Sequence, residues 1–530
     1  MMQNIKILDC TLRDGGYING FEFGCSTIKS IITKLTQASV EIIECGFLVS
    51  GSKNSDKTLF SGIEEIKKYI DPKKRHIMYV AMIQYGAISN EEIVMYDGTS
   101  IDGIRITFHE HEIEGACLIG KQLMKKGYKV FMQPVGTNTY TDISLLALIE
   151  KVNAMKPYAF YLVDTLGSMY KKDLLRIFYL IDHNLDKNII IGFHSHNNLQ
   201  LSFSNAQEII SLDSKREIVL DASVFGMGRG AGNLCTELLM HYINENIFQK
   251  YDTAPILEIL DLYISPIYVK YHWGYSVPYY IASINNCHPN YASYLINKQT
   301  IPIKDINLII SLIDKNKRSL YDENYIMNLY MAHQKHNFDD SKVLNKIKTL
   351  FSNKEILILA PGKSMVNENN SILNFINEKH PLVISVNFLP EMIKTDYVFI
   401  SNLRRFMGIS ELYATNNIKF ICTSNITTDS RDNFFIINYN DYLCTDSLIS
   451  DNAGVMLLNL LNKIEITSVS LAGFDGFDLD GRNNYFNEKL IYNIDNERLL
   501  GMHLSLSKHL HKMSRSMHIT FITKSMFQEK

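Results

Sequence analysis

The stretch "NIIIGFHSHNNL", residues 188–199, decides how the first half of the chain is read. Its three isoleucines, a glycine and a phenylalanine read as a buried strand. His194 and His196 stand two apart at the end of that run, and a period of two sends both imidazoles to one face. Two imidazoles side by side at a strand end call for further groups at the same place.

Seven other apolar runs surround this one: "NIKILD", "VEIIECGF", "HIMYVAMI", "IDGIRITF", "YKVFMQPV", "AFYLVDT" and "IVLDASVFG". They recur every 25–40 residues or so, the size of one strand–helix unit. Such a beat over residues 1–250 predicts an α/β chain folded as a (β/α)8 TIM barrel, with an open doubly wound sheet as the alternative. Residues 251–345 are rich in tyrosine and helical in pattern, and read as an extension and linker. A second α/β beat starts at "KEILILAPGKSM", 354–365, and predicts a separate Rossmann-like domain over 350–530.

In a barrel the active site lies at the carboxyl ends of the strands. In strand order those ends bring Arg13, Asp14 and Tyr17; Glu44; Arg105 and His109; Gln133; Asp164 and Thr165; His194 and His196; and Asn233. Two imidazoles and the Asp14 carboxylate make a three-ligand set that leaves positions open for substrate and water. Its donors suit Mn, Fe, Zn or Mg.

The bulk numbers narrow the class. The chain has 530 residues, 46% hydrophobic and 21% charged, with a net charge of −3, so no overall basic surface points to nucleic acid. Eight cysteines without a CxxC pair read as reduced thiols of a cytoplasmic protein. The start "MMQNIKILDC" reads as a strand rather than a signal peptide, and no apolar run is long enough to cross a bilayer.

Taken in order, "LDCTLRDGGY", "IECGF", "VDTLGSM", "HSHNNL" and "GMGRGAGN" resemble the DRE-TIM metallolyase superfamily over about residues 4–300. Its members include 4-hydroxy-2-oxovalerate aldolases, HMG-CoA lyases and the isopropylmalate and homocitrate synthases. The resemblance implies that Asp14, His194 and His196 bind a divalent metal, Mn or Mg first and Zn or Co as alternatives. It implies that Asn233 adds a further ligand and that Arg13, with Glu44, steadies an enolate. Arg105, Gln133, Asp164 and Thr165 are then expected to bind substrate.

The expected reaction makes or breaks a C–C bond through the enolate of a pyruvate-type 2-oxo acid, with an aldehyde or ketone as partner. "HSHNNL" favours these aldolases over an acyl-CoA Claisen-type synthase or lyase, the first alternative. The aldolases carry a histidine where this chain has Tyr17. Tyr17 is read either as a proton shuttle, with its pKa lowered by metal and Arg13, or as a positioning group; His109 and Tyr291 are the other candidates.

In the second domain "ILILAPGKSM", "VISVNF", "TDYVFISN" and "SLAGFDGF" resemble a Rossmann-like group of bacterial sialyltransferases and pterin-diphosphokinase-like proteins. Gly362, Ser364, Asn387, Asn402 and Asp475 would then face a nucleotide or nucleotide-sugar, with free backbone N–H groups at the Gly362 turn. The alternative is a packing domain. Such a fusion suits surface-polysaccharide or sugar-acid synthesis, or a sugar-nucleotide-binding protein with an inactive barrel. A homo-oligomer is expected, with no membrane partner.

Overall fold

Each of the eight runs forms a strand in the computed structural model. They are β1 (Ile5–Asp9), β2 (Ile42–Leu48), β3 (Met78–Gln84), β4 (Gly103–Phe108), β5 (Lys129–Pro134), β6 (Ala159–Asp164), β7 (Ile190–Ser195) and β8 (Ile218–Ala222). The structure describes residues 5–528 apart from 52–53, 213, 299, 336–337, 411–417, 428–432, 479–483, 488–489 and 491–495. Every neighbouring pair is parallel, and β1 pairs with both β2 and β8, which closes the barrel.

Strand residues alternate between two cores. Leu8, Val80, Phe131, Tyr161 and Val219 share a small cluster, while their neighbours Ile7, Ala81, Val130, Phe160 and Leu220 join the large cluster under the helices. That alternation is the two-residue period of a strand buried on both faces. The helix Cys25–Gln37 shows the matching helical period, burying Ile28, Ile31, Ile32 and Leu35. Each such aliphatic side chain contributes about 1.5–3 kcal/mol on burial.

One unit departs from the beat. Between β3 and β4 the described residues form only a three-residue 3-10 turn, Asn90–Glu92. The segment "YGAISNEEIVMYDGTS" has no apolar period, and Gly86 and Gly98 take positive φ.

The chain divides into two compact units, residues 1–289 with 315–321, and residues 290–314 with 322–530. The contact pattern thus shares 251–345 between them. The second unit is built on a seven-stranded parallel sheet. Its strands are β9 (Ile356–Leu359), β10 (Leu382–Val386), β11 (Tyr397–Ile400), β12 (Lys419–Thr423), β13 (Phe434–Ile437), β14 (Ser468–Ala472) and β15 (His518–Phe521). Their spatial order is β13-β12-β11-β10-β9-β14-β15. The chain therefore reverses direction between β9 and β14. The edge strand β15 is not expected from the sequence, because "HITF" is short and its four side chains are all exposed or half-buried. Among the described residues no helix is long and apolar enough to cross a membrane.

Candidate active site

The turn after β1 places Arg13 and Asp14. The Asp9 side chain accepts from the Thr11 amide at 3.0 Å and from the Thr236 hydroxyl at 2.7 Å. This anchors the short helix Thr11–Asp14, which carries Arg13 and Asp14. Two glycines follow because there is no room for side chains: a Cβ on Gly15 would stand 2.3 Å from the Thr11 carbonyl oxygen, and one on Gly16 2.2 Å from the Phe21 ring.

Asp14, His194 and His196 are all buried, and their ligand atoms lie within 4.8 Å of one another. His194 Nδ1 faces Asp221 Oδ2 at 2.9 Å, and His196 Nδ1 faces the Arg229 carbonyl at 3.1 Å. Each ring thereby keeps Nε2 for a cation. Asn233 Nδ2 donates to Asp14 Oδ2 at 2.5 Å, while its own Oδ1 is buried and unpartnered.

A buried charge network backs this cluster. Arg13 donates to Glu44 at 2.8 Å and to Asp14 at 2.5 Å. Arg105 donates to the same Glu44 oxygen at 2.7 Å and to Asp221. Burial pushes the Asp14 carboxyl up, but Arg13, His196 and His194 outweigh it and hold it well below the usual carboxylate range. The Asp221 carboxyl is likewise lowered: burial opposes, and Arg105 and His194 prevail. Burial brings His196 down to about 4, against the pull of Asp14.

Two guanidinium groups against Asp14, Glu44 and Asp221 leave one uncompensated negative charge. A divalent cation reverses that sign, and a monoanionic 2-oxo acid restores neutrality. Unpartnered buried atoms also gather here: Arg13 Nη2, Glu44 Oε1, Gln133 Nε2, Asn233 Oδ1 and Asp221 Oδ1. Such atoms are costly unless a ligand completes them. The donor set, the charge and the orphaned atoms all fit a divalent metal with a small oxyanion beside it.

Other expected residues are placed differently. Arg105 is fully buried behind Glu44. The Asp164 carboxylate accepts from the Ser168 and Met169 amides of its own loop, at 3.1 and 3.0 Å, and burial raises it to about 6. Thr165 Oγ1 accepts from the Gly136 amide at 2.8 Å. Tyr17 sits outermost, 46% exposed. Its phenol is pushed above its ordinary value, not below it, because burial of the hydroxyl end outweighs Arg13 and Arg229. His109 lies half-buried after β4 with its pKa lowered by burial. Tyr291 is fully buried in the second unit, its hydroxyl accepting from the Asp322 amide at 3.1 Å. Asp221 is the residue that the sequence reading misses.

In the second unit a cavity of about 290 Å³ opens beside Gly362, Asn387, Asn402 and Asp475. Lys298, Arg405 and Asp451 also line it. The expected free N–H groups at the turn are taken: Gly362 donates to the Gly473 carbonyl at 3.1 Å, and Ser364 to Asp475 Oδ2 at 2.8 Å. Ser364 lies buried behind the cavity, its hydroxyl on Asp475 and Thr523.

Residues 4–262 match the family model described as HMGL-like. The chain is 28% identical over 235 residues to an oxaloacetate decarboxylase of Mycobacterium tuberculosis, covering 44% of this chain and 68% of that protein. It is 26% identical over 272 residues to a 4-hydroxy-2-oxovalerate aldolase of Geobacillus genomosp. 3, covering 50% of this chain and 78% of that protein. A solved HMG-CoA lyase from Brucella melitensis aligns with a TM-score of 0.40 and 15% identity, over 50% of this chain and 99% of that one. Residues 4–262 thus form an HMGL-like segment, of the DRE-TIM metallolyase type, with lyase-type chemistry.

Proposed function

We propose that the barrel is a divalent-metal-dependent aldolase that makes or breaks a C–C bond through the enolate of a 2-oxo acid. The observation that carries this reading is the unpartnered Nη2 of Arg13, held beside the Asp14, His194 and His196 cluster. Glu44 and Asp14 fix the other guanidinium nitrogens, so Nη2 is aimed before any substrate arrives. Asp14, His194, His196 and the Oδ1 of Asn233 would hold the metal, Mn or Mg in the first instance. When bound, it supplies Lewis acidity to the carbonyl and carboxylate oxygens of the 2-oxo acid. Arg13 donates to the enolate oxygen, and the amide of Gln133 meets the carboxylate. Tyr17, protonated at neutral pH, donates a hydrogen bond or its proton to the alkoxide that forms on the acceptor in the bond-making direction. Both named relatives, the 4-hydroxy-2-oxovalerate aldolase and the oxaloacetate decarboxylase, fit one enolate-forming chemistry.

The test combines metal analysis with two assays: exchange of pyruvate methyl protons with solvent, followed by NMR, and pyruvate release from 4-hydroxy-2-oxo acids. Stoichiometric metal with both activities is the expected result. Metal-loaded chain that does neither, yet condenses an acyl-CoA with a 2-oxo acid, would replace the aldolase by a Claisen-type synthase.

For the second unit we propose a nucleotide or nucleotide-sugar as ligand. Support comes from the place of the cavity, at the carboxyl edge of an open parallel sheet where strand order reverses. The phosphate would face Lys298 and Arg405 rather than the Gly362 turn, whose amides are occupied. Titration of the full chain with nucleoside mono- and diphosphates by calorimetry is the check; binding of none of them would leave a packing role.

A further inference from the structure

Arg229 stands apart from the other arginines of the first unit that lie in charge pairs. Arg13, Arg105, Arg176 and Arg216 each meet a carboxylate. Among the described residues Arg229 meets none, and its Nη2 donates to Nε2 of His288. Burial and the adjacent guanidinium hold that imidazole down at about 4, so it is neutral at physiological pH. A neutral acceptor orients the guanidinium without cancelling its charge, which a carboxylate partner would do.

The backbone beneath Arg229 is fixed. Its carbonyl accepts from His196 Nδ1 at 3.1 Å and from the Gly232 amide at 3.2 Å. The loop is pinned again by Asn198, whose side chain accepts from the Ala231 amide at 2.8 Å. The backbone of Arg229 is therefore held against His196 of the metal cluster. Its charge is felt at Tyr17 and Tyr279, where it opposes the burial that raises both phenols, and at His196, where it adds to the burial that lowers the imidazole. Depth separates it from Arg13: Arg13, Asp14 and Glu44 are buried, whereas Arg229 is partly exposed and shares the outer rim with Tyr17. On the aldolase reading the inner groups take the 2-oxo acid, which leaves the outer rim for the second reactant.

We infer that Arg229, oriented by His288, is a specificity residue that binds a carboxylate or phosphate group on the aldehyde or ketone acceptor. The inference rests on the aldolase reading and names its acceptor class. A charge-assisted bond that neutral analogues lack should favour the anionic acceptor by about 10- to 100-fold.

The experiment measures kcat/KM of the metal-loaded full chain with pyruvate and three aldehydes. Succinic semialdehyde carries a carboxylate, glyceraldehyde 3-phosphate a phosphate, and butanal no charge; the first two separate the anion sources. Wild type should prefer one anionic aldehyde over butanal, Arg229→Gln should bring that ratio near one, and Arg229→Lys should retain part of it. His288→Asp, which leaves Arg229 in place but neutralises it, should act in the same direction. An unchanged ratio in Arg229→Gln, or a wild type that favours butanal, would overturn the inference. So would an Arg229→Gln variant that loses pyruvate proton exchange as steeply as aldol formation, since the guanidinium would then serve the 2-oxo acid. A wild type that exchanges no pyruvate protons would sink the aldolase reading and this inference together; exchange without anion preference sinks the inference alone.

Discussion

The chain contains two parallel sheets, and their carboxyl edges differ in how their charges are satisfied. At the barrel edge, Asp14, Glu44, Asp221, Arg13 and Arg105 form one buried network that still leaves four orphaned polar atoms, Arg13 Nη2, Glu44 Oε1, Arg105 Nε and Asp221 Oδ1. At the open edge, Asp475 is answered by Ser364, 111 residues earlier in the chain, through both amide and hydroxyl, and what remains is a cavity. Closure is the cause. Eight strand ends tilted around one axis must aim inward at a shared volume, so residues far apart in sequence meet. Strand ends of an open sheet stand side by side, and only the reversal of strand order makes a crevice. Charge that is unsatisfied inside the protein marks chemistry; charge that is satisfied locally marks a scaffold.

The strongest way to break this comparison is to remove the cluster. Asp14→Asn and His196→Ala should each lose bound metal, measured by elemental analysis, and drop turnover to background. A variant that kept both stoichiometric metal and activity would show that the charges at the two edges are equally structural. Arg13→Lys keeps the charge but loses the planar fork, and should cost about 10²–10³ in kcat with a smaller change in KM. A change confined to KM would mean that Arg13 binds substrate and enolate alike.

Asp221→Asn probes the network behind the cluster. Metal-ligating histidines depend on the group at their other nitrogen, so Mn affinity by calorimetry should fall about 10- to 100-fold. Unchanged affinity would limit Asp221 to holding Arg105.

His288 gives a pH test of the rim. Its folded value is about 4 against 6.5 for the free residue. The unfolded chain therefore takes up the proton first, and stability falls as pH drops from about 6.5 toward 4. Relative to His288→Gln, the wild type should lose about 2 kcal/mol between about pH 7 and pH 5. Urea unfolding followed at Trp273, the single tryptophan and buried in the first unit, reads this directly. Equal pH slopes for the two proteins would place the imidazole in water.

The smallest effect belongs to the open edge. Asp475→Asn weakens two bonds to Ser364 and should lower the stability of the second unit by about 1 kcal/mol, seen as faster amide exchange over 362–366, with barrel metal content unchanged. Metal loss in that variant would remove the distinction between the two edges.

The sequence carried the eight-strand beat of the barrel, six of the seven strands of the second sheet, and the convergence of Asp14, His194 and His196. Those features are local: a two-residue alternation, a run of isoleucines, a motif at a strand end. Tertiary structure alone decided the rest. Asp221 reads as one more strand residue in "IVLDASVFG", and acquires its role only when β8 lies beside β7 and brings it to His194, 27 residues earlier in the chain. Arg229 and His288 are 59 residues apart and carry no spacing signal. Asp164, Thr165 and Ser364 look like site residues from their positions, yet each spends its hydrogen bonds nearby, on amides or, for Ser364, on Asp475. A sequence shows which donors and acceptors reach a strand end. Only the packed structure shows which of them are already taken, because hydrogen bonds and ion pairs are settled by distance in space and not along the chain.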